Sequence, residues 1–265
     1  LRAAWVTDTG NIDALDELTR MLLPPTEMRH GVGGGEGRSA RALIDLLLQA
    51  SESTREPARK VAFLEKVAAL WEDALGNPAE AAKIYQRVLG LEPRRRFALL
   101  ALQRAHERSG EFRGLAAAIE TEADQTNDPV LAAALLLRAA ETWRARAGDA
   151  ERAIALVRRV LDKAPQNANA LRALLEAQDA AGRPAEVART LEMMIANARG
   201  EEAVPLWLEL GEVRRRRLGD VDGAIAAWRA ARALDARTAL AARELAHAVR
   251  GQGNWRAVAD LEESI

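Results

Sequence analysis

Residues 70–93, LWEDALGNPAEAAKIYQRVLGLEP, are copied with changes at two later places in the chain. The second copy is TWRARAGDAERAIALVRRVLDKAP at 142–165, and the third is VRRRRLGDVDGAIAAWRAARALDA at 213–236. Each copy has a glycine between two stretches whose apolar residues recur every three to four positions, which is the period of an amphipathic helix. A repeated pair of helices predicts an array of similar units rather than a fold built once around one pocket.

Glycines divide the rest of the chain in the same way. Six of them lie between two helical stretches, at spacings of 34, 38, 34, 37 and 34 residues: Gly76, Gly110, Gly148, Gly182, Gly219 and Gly253. This period is typical of stacked helical hairpins, each with a first helix before its glycine and a second helix after it. Because the spacing alternates, we distinguish odd hairpins (Gly76, Gly148, Gly219) from even ones, and the odd hairpins carry one extra residue before the glycine.

The two hairpin types bury different side chains on their second helices. In the odd hairpins the fifth residue after the glycine is small and the ninth is larger, on one helical face; the pairs are Ala81 and Tyr85, Ala153 and Val157, and Ala224 and Trp228. In the even hairpins the fifth residue is Leu115, Val187 or Val258. Tryptophans also fall at packing positions, which predicts core roles for Trp71, Trp143, Trp207 and Trp228.

Helix ends fit the same scheme. Asn77, Asp149 and Asp220 directly follow their glycines and are predicted to be N-caps, because a short polar side chain can accept a hydrogen bond from the first free backbone N–H groups. Alternating apolar and polar runs bounded by turns are absent from the sequence, so no strand is predicted.

The pattern Gly76, Ala81, Tyr85 and Pro93 resembles the second half of a tetratricopeptide repeat, and Leu64, Ala68 and Trp71 match the first half in kind. The resemblance covers about residues 57–265. It implies an all-α fold, a right-handed α-solenoid of antiparallel helical hairpins. It also implies function, since members of this family are mostly peptide-binding scaffolds and adaptors rather than enzymes.

The N-terminal part departs from the repeat. We expect a partial helical repeat at 1–23, a Gly/Pro-rich loop or linker at 24–37, and a solenoid at 38–265 of about six hairpins plus one preceding helix. Five glycines within 31–37 disfavour a helix there by roughly 1 kcal/mol each relative to alanine. Their spacing does not match a dinucleotide loop, so the stretch is either a native linker or a join between separated segments.

Composition excludes several kinds of site. The chain has no cysteine and only three histidines, His30, His106 and His247, at no metal-ligand or triad spacing. His106 occupies the position of Trp71 and Trp143, which predicts a packing residue. With 38 basic against 39 acidic residues, no global field attracts nucleic acid. We therefore expect no catalytic residue, no cofactor, no metal, no nucleic-acid partner and no membrane insertion.

If the resemblance holds, the first helices line the concave side of the superhelix. The positions projected onto that groove are acidic in the early hairpins, with Glu65, Glu72 and Asp73, and basic in the late ones. We predict that the basic positions bind a partner: Arg104, Arg108, Arg144, Arg172, Arg215, Arg216, Arg243, His247 and Arg250. This distribution of charge suits an extended segment with an acidic part.

Two functional hypotheses follow. The first is a non-catalytic scaffold or adaptor that binds another protein, or an extended and possibly acidic peptide segment, along the groove or through an exposed end. The second is a structural spacer or self-assembly module within a longer scaffold protein. The chain begins at Leu1 and ends within a helical pattern, which predicts an excerpt of a larger polypeptide; we expect it to be cytoplasmic.

Overall fold

The computed structural model describes residues 35–235 together with Arg243 and His247. Within this part of the chain, all regular secondary structure is helical. The α-helices are α1 (Gly35–Ser53), α2 (Pro57–Ala69), α3 (Pro78–Leu91), α4 (Arg96–Ser109), α5 (Phe112–Gln125), α6 (Pro129–Glu141), α7 (Ala150–Lys163), α8 (Ala168–Ala180), α9 (Pro184–Asn197), α10 (Val204–Arg217) and α11 (Val221–Leu234). A π-helical turn extends α2 (Leu70–Ala74) and another extends α6 (Thr142–Arg146), and a 3-10 turn (Gly200–Ala203) precedes α10.

The chain divides into two compact units, with the boundary between Ala132 and Ala133. In unit 1, each helix from α1 to α5 packs against the next one along the sequence, and in unit 2 the helices from α7 to α11 do the same. Short connections between packed helices make neighbours antiparallel. The predicted all-α fold of consecutive helical hairpins is confirmed, while the right-handed sense of the superhelix stays a prediction.

The predicted glycine turns are confirmed wherever the structure describes them. At Gly76 and Gly110 the φ angles are +59° and +74°, a left-handed conformation that costs little only without a Cβ. The remaining described hairpin glycines have the same conformation: Gly148, Gly182 and Gly219. Gly253 lies outside the described residues.

The extra residue of the odd hairpins is absorbed by a wider closing turn. In the even hairpins, the residue after the glycine donates its backbone N–H to the carbonyl five residues back, as Glu111 does to His106 at 2.9 Å. In the odd hairpins, the donation reaches six residues back, as from Asn77 to Trp71 at 2.7 Å. In two odd hairpins the first helix ends in a π-helical turn, and this turn contains the extra residue, because a π turn accommodates one added residue.

The predicted N-caps are confirmed. Asn77 accepts a hydrogen bond from the backbone N–H of Glu80 at 3.2 Å. Asp149 caps α7 and Asp220 caps α11 through the same kind of bond, each at 2.9 Å. Each carboxylate or amide oxygen satisfies one of the donors that a helix start leaves free, which begins the second helix at a defined residue.

The fifth and ninth residues of the repeat pattern lie in the core. Tyr85 and Trp228 are 2% and 1% exposed, and the small residues one turn earlier are fully buried. Leu115 and Val187 are buried in the even hairpins, whereas Val258 lies outside the described residues. The core role predicted for three other tryptophans holds only in part: Trp71, Trp143 and Trp207 are half-buried, and Trp71 and Trp207 lie at the edges of apolar clusters.

The first described helix begins inside the predicted linker. Helix α1 starts at Gly35, so residues 35–37 belong to it rather than to the loop expected at 24–37. The apolar residues Leu43 and Leu47 of α1 are buried, as expected for the one helix that precedes the hairpins. The partial repeat expected at 1–23 lies outside the described residues. No helix in the described ranges combines the length and the apolar character that crossing a membrane requires.

Candidate partner-binding face of the first helices

In unit 1, ion pairs connect successive first helices. Glu72, in the π-helical turn that extends α2, lies with its carboxylate 3.5 Å from the guanidinium of Arg108 on α4. The same carboxylate accepts a hydrogen bond from the Tyr85 hydroxyl at 2.9 Å. Burial, and then this bond, raises the pKa of Tyr85, so the phenol stays protonated and keeps donating. The π turn therefore places Glu72 where it joins three helices.

A second pair in unit 1 fixes the start of α4. Arg95 donates two hydrogen bonds to the carboxylate of Glu65 on α2, at 2.5 and 2.8 Å, and a third to Glu92 at 2.9 Å. A guanidinium with two parallel bonds to one carboxylate is held in a defined orientation. The acidic positions Glu65 and Glu72, projected onto the groove from the sequence, thus bind arginines of their own chain.

Unit 2 repeats this arrangement with other residues. Arg144, in the π-helical turn that extends α6, contacts Glu141 at 2.6 Å and Glu176 on α8 at 3.1 Å. Asp179, at the end of α8, is paired with Arg217 at the end of α10. The first helices α6, α8 and α10 therefore expose one connected polar face, as α2 and α4 do in unit 1.

Arg215 has two kinds of contact on α10. Its guanidinium lies 5.6 Å from the ring centroid of Trp228, within the range of a cation–π interaction, and 3.3 Å from Glu212. The indole of Trp228 fits against α10 because Gly211 has no side chain, and a Cβ there would overlap the ring. Glu212 also pairs with Arg216.

The structure separates the predicted partner-binding residues into three groups. Arg108, Arg144, Arg215 and Arg216 are already paired with carboxylates of this chain. Arg104 and Arg172 are exposed on α4 and α8. Among the C-terminal positions, Arg243 and His247 are helical and exposed, whereas Arg250 lies outside the described residues.

Exposed apolar side chains accompany Arg104, and the projection from sequence missed them. Phe97 is 57% exposed and Leu100 is 39% exposed, and both lie on the face of α4 that carries Arg104. Their spacing of three and four residues along the helix, from Phe97 to Leu100 and from Leu100 to Arg104, is the signal that identifies them in the sequence. We call Phe97, Leu100 and Arg104 the α4 stripe.

Residues 144–204 match the family profile of the tetratricopeptide repeat. This part of the chain therefore matches the family that the sequence pattern resembles. Tetratricopeptide repeats imply a scaffold for protein interaction, and the family is generally non-enzymatic. No metal-binding group of three or more candidate ligand residues occurs within the described ranges.

Several solved tetratricopeptide structures resemble this chain. MamA is 19% identical over 63% of this chain and 87% of its own, with a TM-score of 0.44. YrrB, described as a TPR protein with an unusual peptide-binding site, is 12% identical over 74% and 95%, with a TM-score of 0.41. A thermophilic TPR protein from Thermus thermophilus is 17% identical over 71% and 98%, with a TM-score of 0.36. None of the curated proteins matches this chain.

Proposed function

We propose that this protein is a non-catalytic scaffold that binds an extended segment of a partner protein on its first-helix face. The observation that carries the proposal is the α4 stripe, where two large apolar side chains and one arginine are exposed side by side. Apolar side chains grouped on a surface favour a partner that covers them, and arginine is a frequent anchor at protein interfaces.

Charge favours an acidic segment. Most arginines on this face already neutralise a carboxylate of the same chain, so they hold neighbouring first helices together and contribute little net positive charge. Arg104 and Arg172 are exposed and have no carboxylate within ion-pair distance among the described residues. A partner that places a carboxylate near Arg104 and an apolar side chain on Phe97 would use both features of the α4 stripe.

Site-specific photocrosslinking tests the proposal in the cells that make the protein. We would replace Leu100 with a photoreactive residue in the full-length chain and sequence the crosslinked segment by mass spectrometry. The matched control carries the same residue at Arg87, which is exposed on the second helix α3. We expect an adduct at position 100, containing acidic residues, that Arg104→Glu reduces at least fivefold.

Two results would contradict this function. Equal crosslinking yields at positions 87 and 100 would show that the first-helix face is not preferred. Crosslinks only between copies of this chain, with association that grows with concentration in light scattering, would favour the self-assembly module instead. Arg87→Glu serves as the charge-matched control for Arg104→Glu, since both positions are exposed on a helix.

A further inference from the structure

A pocket of about 320 Å³ lies in unit 1, between the second helices α3 and α5, with the first helix α4 at its base. One end is formed by His106, whose side chain is buried with 6% of the residue exposed. Neither Nδ1 nor Nε2 of His106 has a hydrogen-bond partner. Buried polar atoms in proteins are nearly always hydrogen-bonded, so this imidazole calls for an explanation.

The pocket exists because α5 presents small residues to it. A Cβ at Gly114 would lie 2.5 Å from Cε1 of His106, so the imidazole occupies the space that a side chain would need. Ala118 and Thr121 follow on the same face of α5. The helix therefore leaves open the space above the leucines of α4.

Unit 2 contains the same backbone frame with a different filling. Gly110 and Gly182 are 72 residues apart, and the residues that follow at this distance replace His106 by Gln178, Gly114 by Glu186 and Ala118 by Thr190. Thr190 donates a hydrogen bond to the Gln178 side chain at 2.7 Å, and Gln178 donates to Glu186 at 3.4 Å.

Arginines complete this network in unit 2. Glu186 accepts hydrogen bonds from Arg158 at 2.9 Å and from Arg183 at 3.0 Å. At the matching positions unit 1 has Gln86 and Glu111, which supply neither cation. Every partner that satisfies Gln178 in unit 2 is therefore replaced in unit 1, and His106, which lines the pocket, is left without one.

The lining defines what would fit. Leu89, Leu99 and Leu102 supply apolar walls, and the pocket is lined by no charged side chain. Gln125 closes the far end by donating a hydrogen bond to the carbonyl of Pro93 at 2.8 Å. A dry apolar cavity of about 150 Å³ is enough to bind benzene, so one six-membered ring fits here with room for substituents.

We propose that this pocket binds a neutral phenol, with its ring against the leucines and its hydroxyl hydrogen-bonded to His106. A hydroxyl both donates and accepts, which matches an imidazole with one N–H and one lone pair. Burial lowers the pKa of His106, against the opposing effect of Glu111, and so keeps the imidazole in that neutral form. The phenol can be a free small molecule or a tyrosine side chain of a partner.

The proposal is independent of the first-helix face, because the pocket opens between second helices. The test is a titration of the full-length chain with p-cresol, monitored by the ring ¹⁵N resonances of His106. Toluene is the matched control, with the same ring and no hydroxyl. We expect saturable shifts with p-cresol and about tenfold weaker binding of toluene, the usual consequence of losing one hydrogen bond.

A covering variant tests the location. Thr121 is exposed at the pocket mouth, and the matching residue in unit 2 is Met193, so Thr121→Met closes the mouth with a residue that this frame already accepts. We expect at least a tenfold loss of p-cresol affinity at an unchanged melting temperature. Arg113→Met, exposed on α5 and outside the lining, should bind as the wild type does.

Three results would overturn the proposal, and one further ligand distinguishes a free phenol from a tyrosine of a partner. No shift of the His106 resonances up to the solubility limit of p-cresol, equal affinity for toluene, or unchanged binding by Thr121→Met would overturn the proposal. N-acetyltyrosinamide then distinguishes the two sources. Binding at least as tight as that of p-cresol supports a tyrosine of a partner, and binding of p-cresol alone supports a free phenol.

Discussion

Each unit contains a copy of the same pair of hairpins, but the space between its consecutive second helices is filled differently in the two units. Around Gln178, unit 2 satisfies each buried polar atom with a side chain from a neighbouring helix. Around His106, unit 1 has a glycine, an alanine and a pocket. The helices begin and end at matching residues in both copies, or within one residue of them, so the difference lies mainly in the side chains.

This difference shows which positions of the repeat are free to change. The small residue and the larger residue on each odd second helix are buried in both units, because they hold the hairpin together. Positions that face the space between consecutive second helices are less constrained, since either a polar network or an open pocket is compatible with the same backbone. New binding sites can therefore arise there without loss of the fold.

The largest expected effect tests whether the two units share one packed frame. Tyr85→Ala in unit 1 and Trp228→Ala in unit 2 should each lower the free energy of unfolding by about 3 to 5 kcal/mol, because each deletes a buried ring. Chemical denaturation followed by far-UV circular dichroism measures the loss. Amide hydrogen exchange should place it mainly in the mutated unit, and an unchanged midpoint in either variant would contradict the common frame.

The next effect comes from forcing the unit 2 residue into unit 1. Gly114→Glu places a side chain where the imidazole of His106 lies, so we expect a loss of about 3 kcal/mol from overpacking and a buried carboxylate. Adding His106→Gln, Ala118→Thr, Gln86→Arg and Glu111→Arg rebuilds the unit 2 network and should recover most of that loss. If the variant with all five substitutions is no more stable than Gly114→Glu alone, the side chains around Gln178 cannot replace those around His106.

A smaller effect compares a substitution to valine at the same place in each unit. Thr190→Val removes the 2.7 Å bond to Gln178 and leaves a buried amide oxygen without its donor, at a cost of about 2 kcal/mol. Ala118→Val, at the matching position, adds methyl groups to an existing pocket and should change the stability by less than about 1 kcal/mol. Equal losses in the two thermal denaturation curves would mean that the pocket is not open.

Sequence alone predicted the hairpins, their glycine turns and their caps, because each depends on residues close together in the chain. Asn77 and Gly76, for example, act on the helix ends next to them. Even the extra residue of the odd hairpins was visible as a spacing, although its form as a π turn was not.

The binding features were harder to predict, because they depend on helices far apart in sequence. Arg108 and Arg144 were predicted to face a partner, yet a carboxylate on another first helix pairs with each of them. His106 was correctly expected to pack. Its lack of any hydrogen-bond partner depends on Gly114 and Ala118 of the next helix, which have no polar side chain to offer.

The smallest expected effect is a pH dependence confined to unit 1. His106 has a pKa below its ordinary value of 6.5 because it is buried, so the unfolded chain takes up the proton first as the pH falls. Stability should therefore decrease as the pH falls through about 6.5, and level off once the folded imidazole is also protonated. Between pH 7.5 and 5.5 we therefore expect a loss of stability that His106→Gln lacks. His30 and His247 are present in both proteins, so their contributions cancel in the difference. Parallel stability profiles for the wild type and His106→Gln would show that the imidazole is not held neutral by burial, and the chemical match between His106 and a hydroxyl would lose its basis.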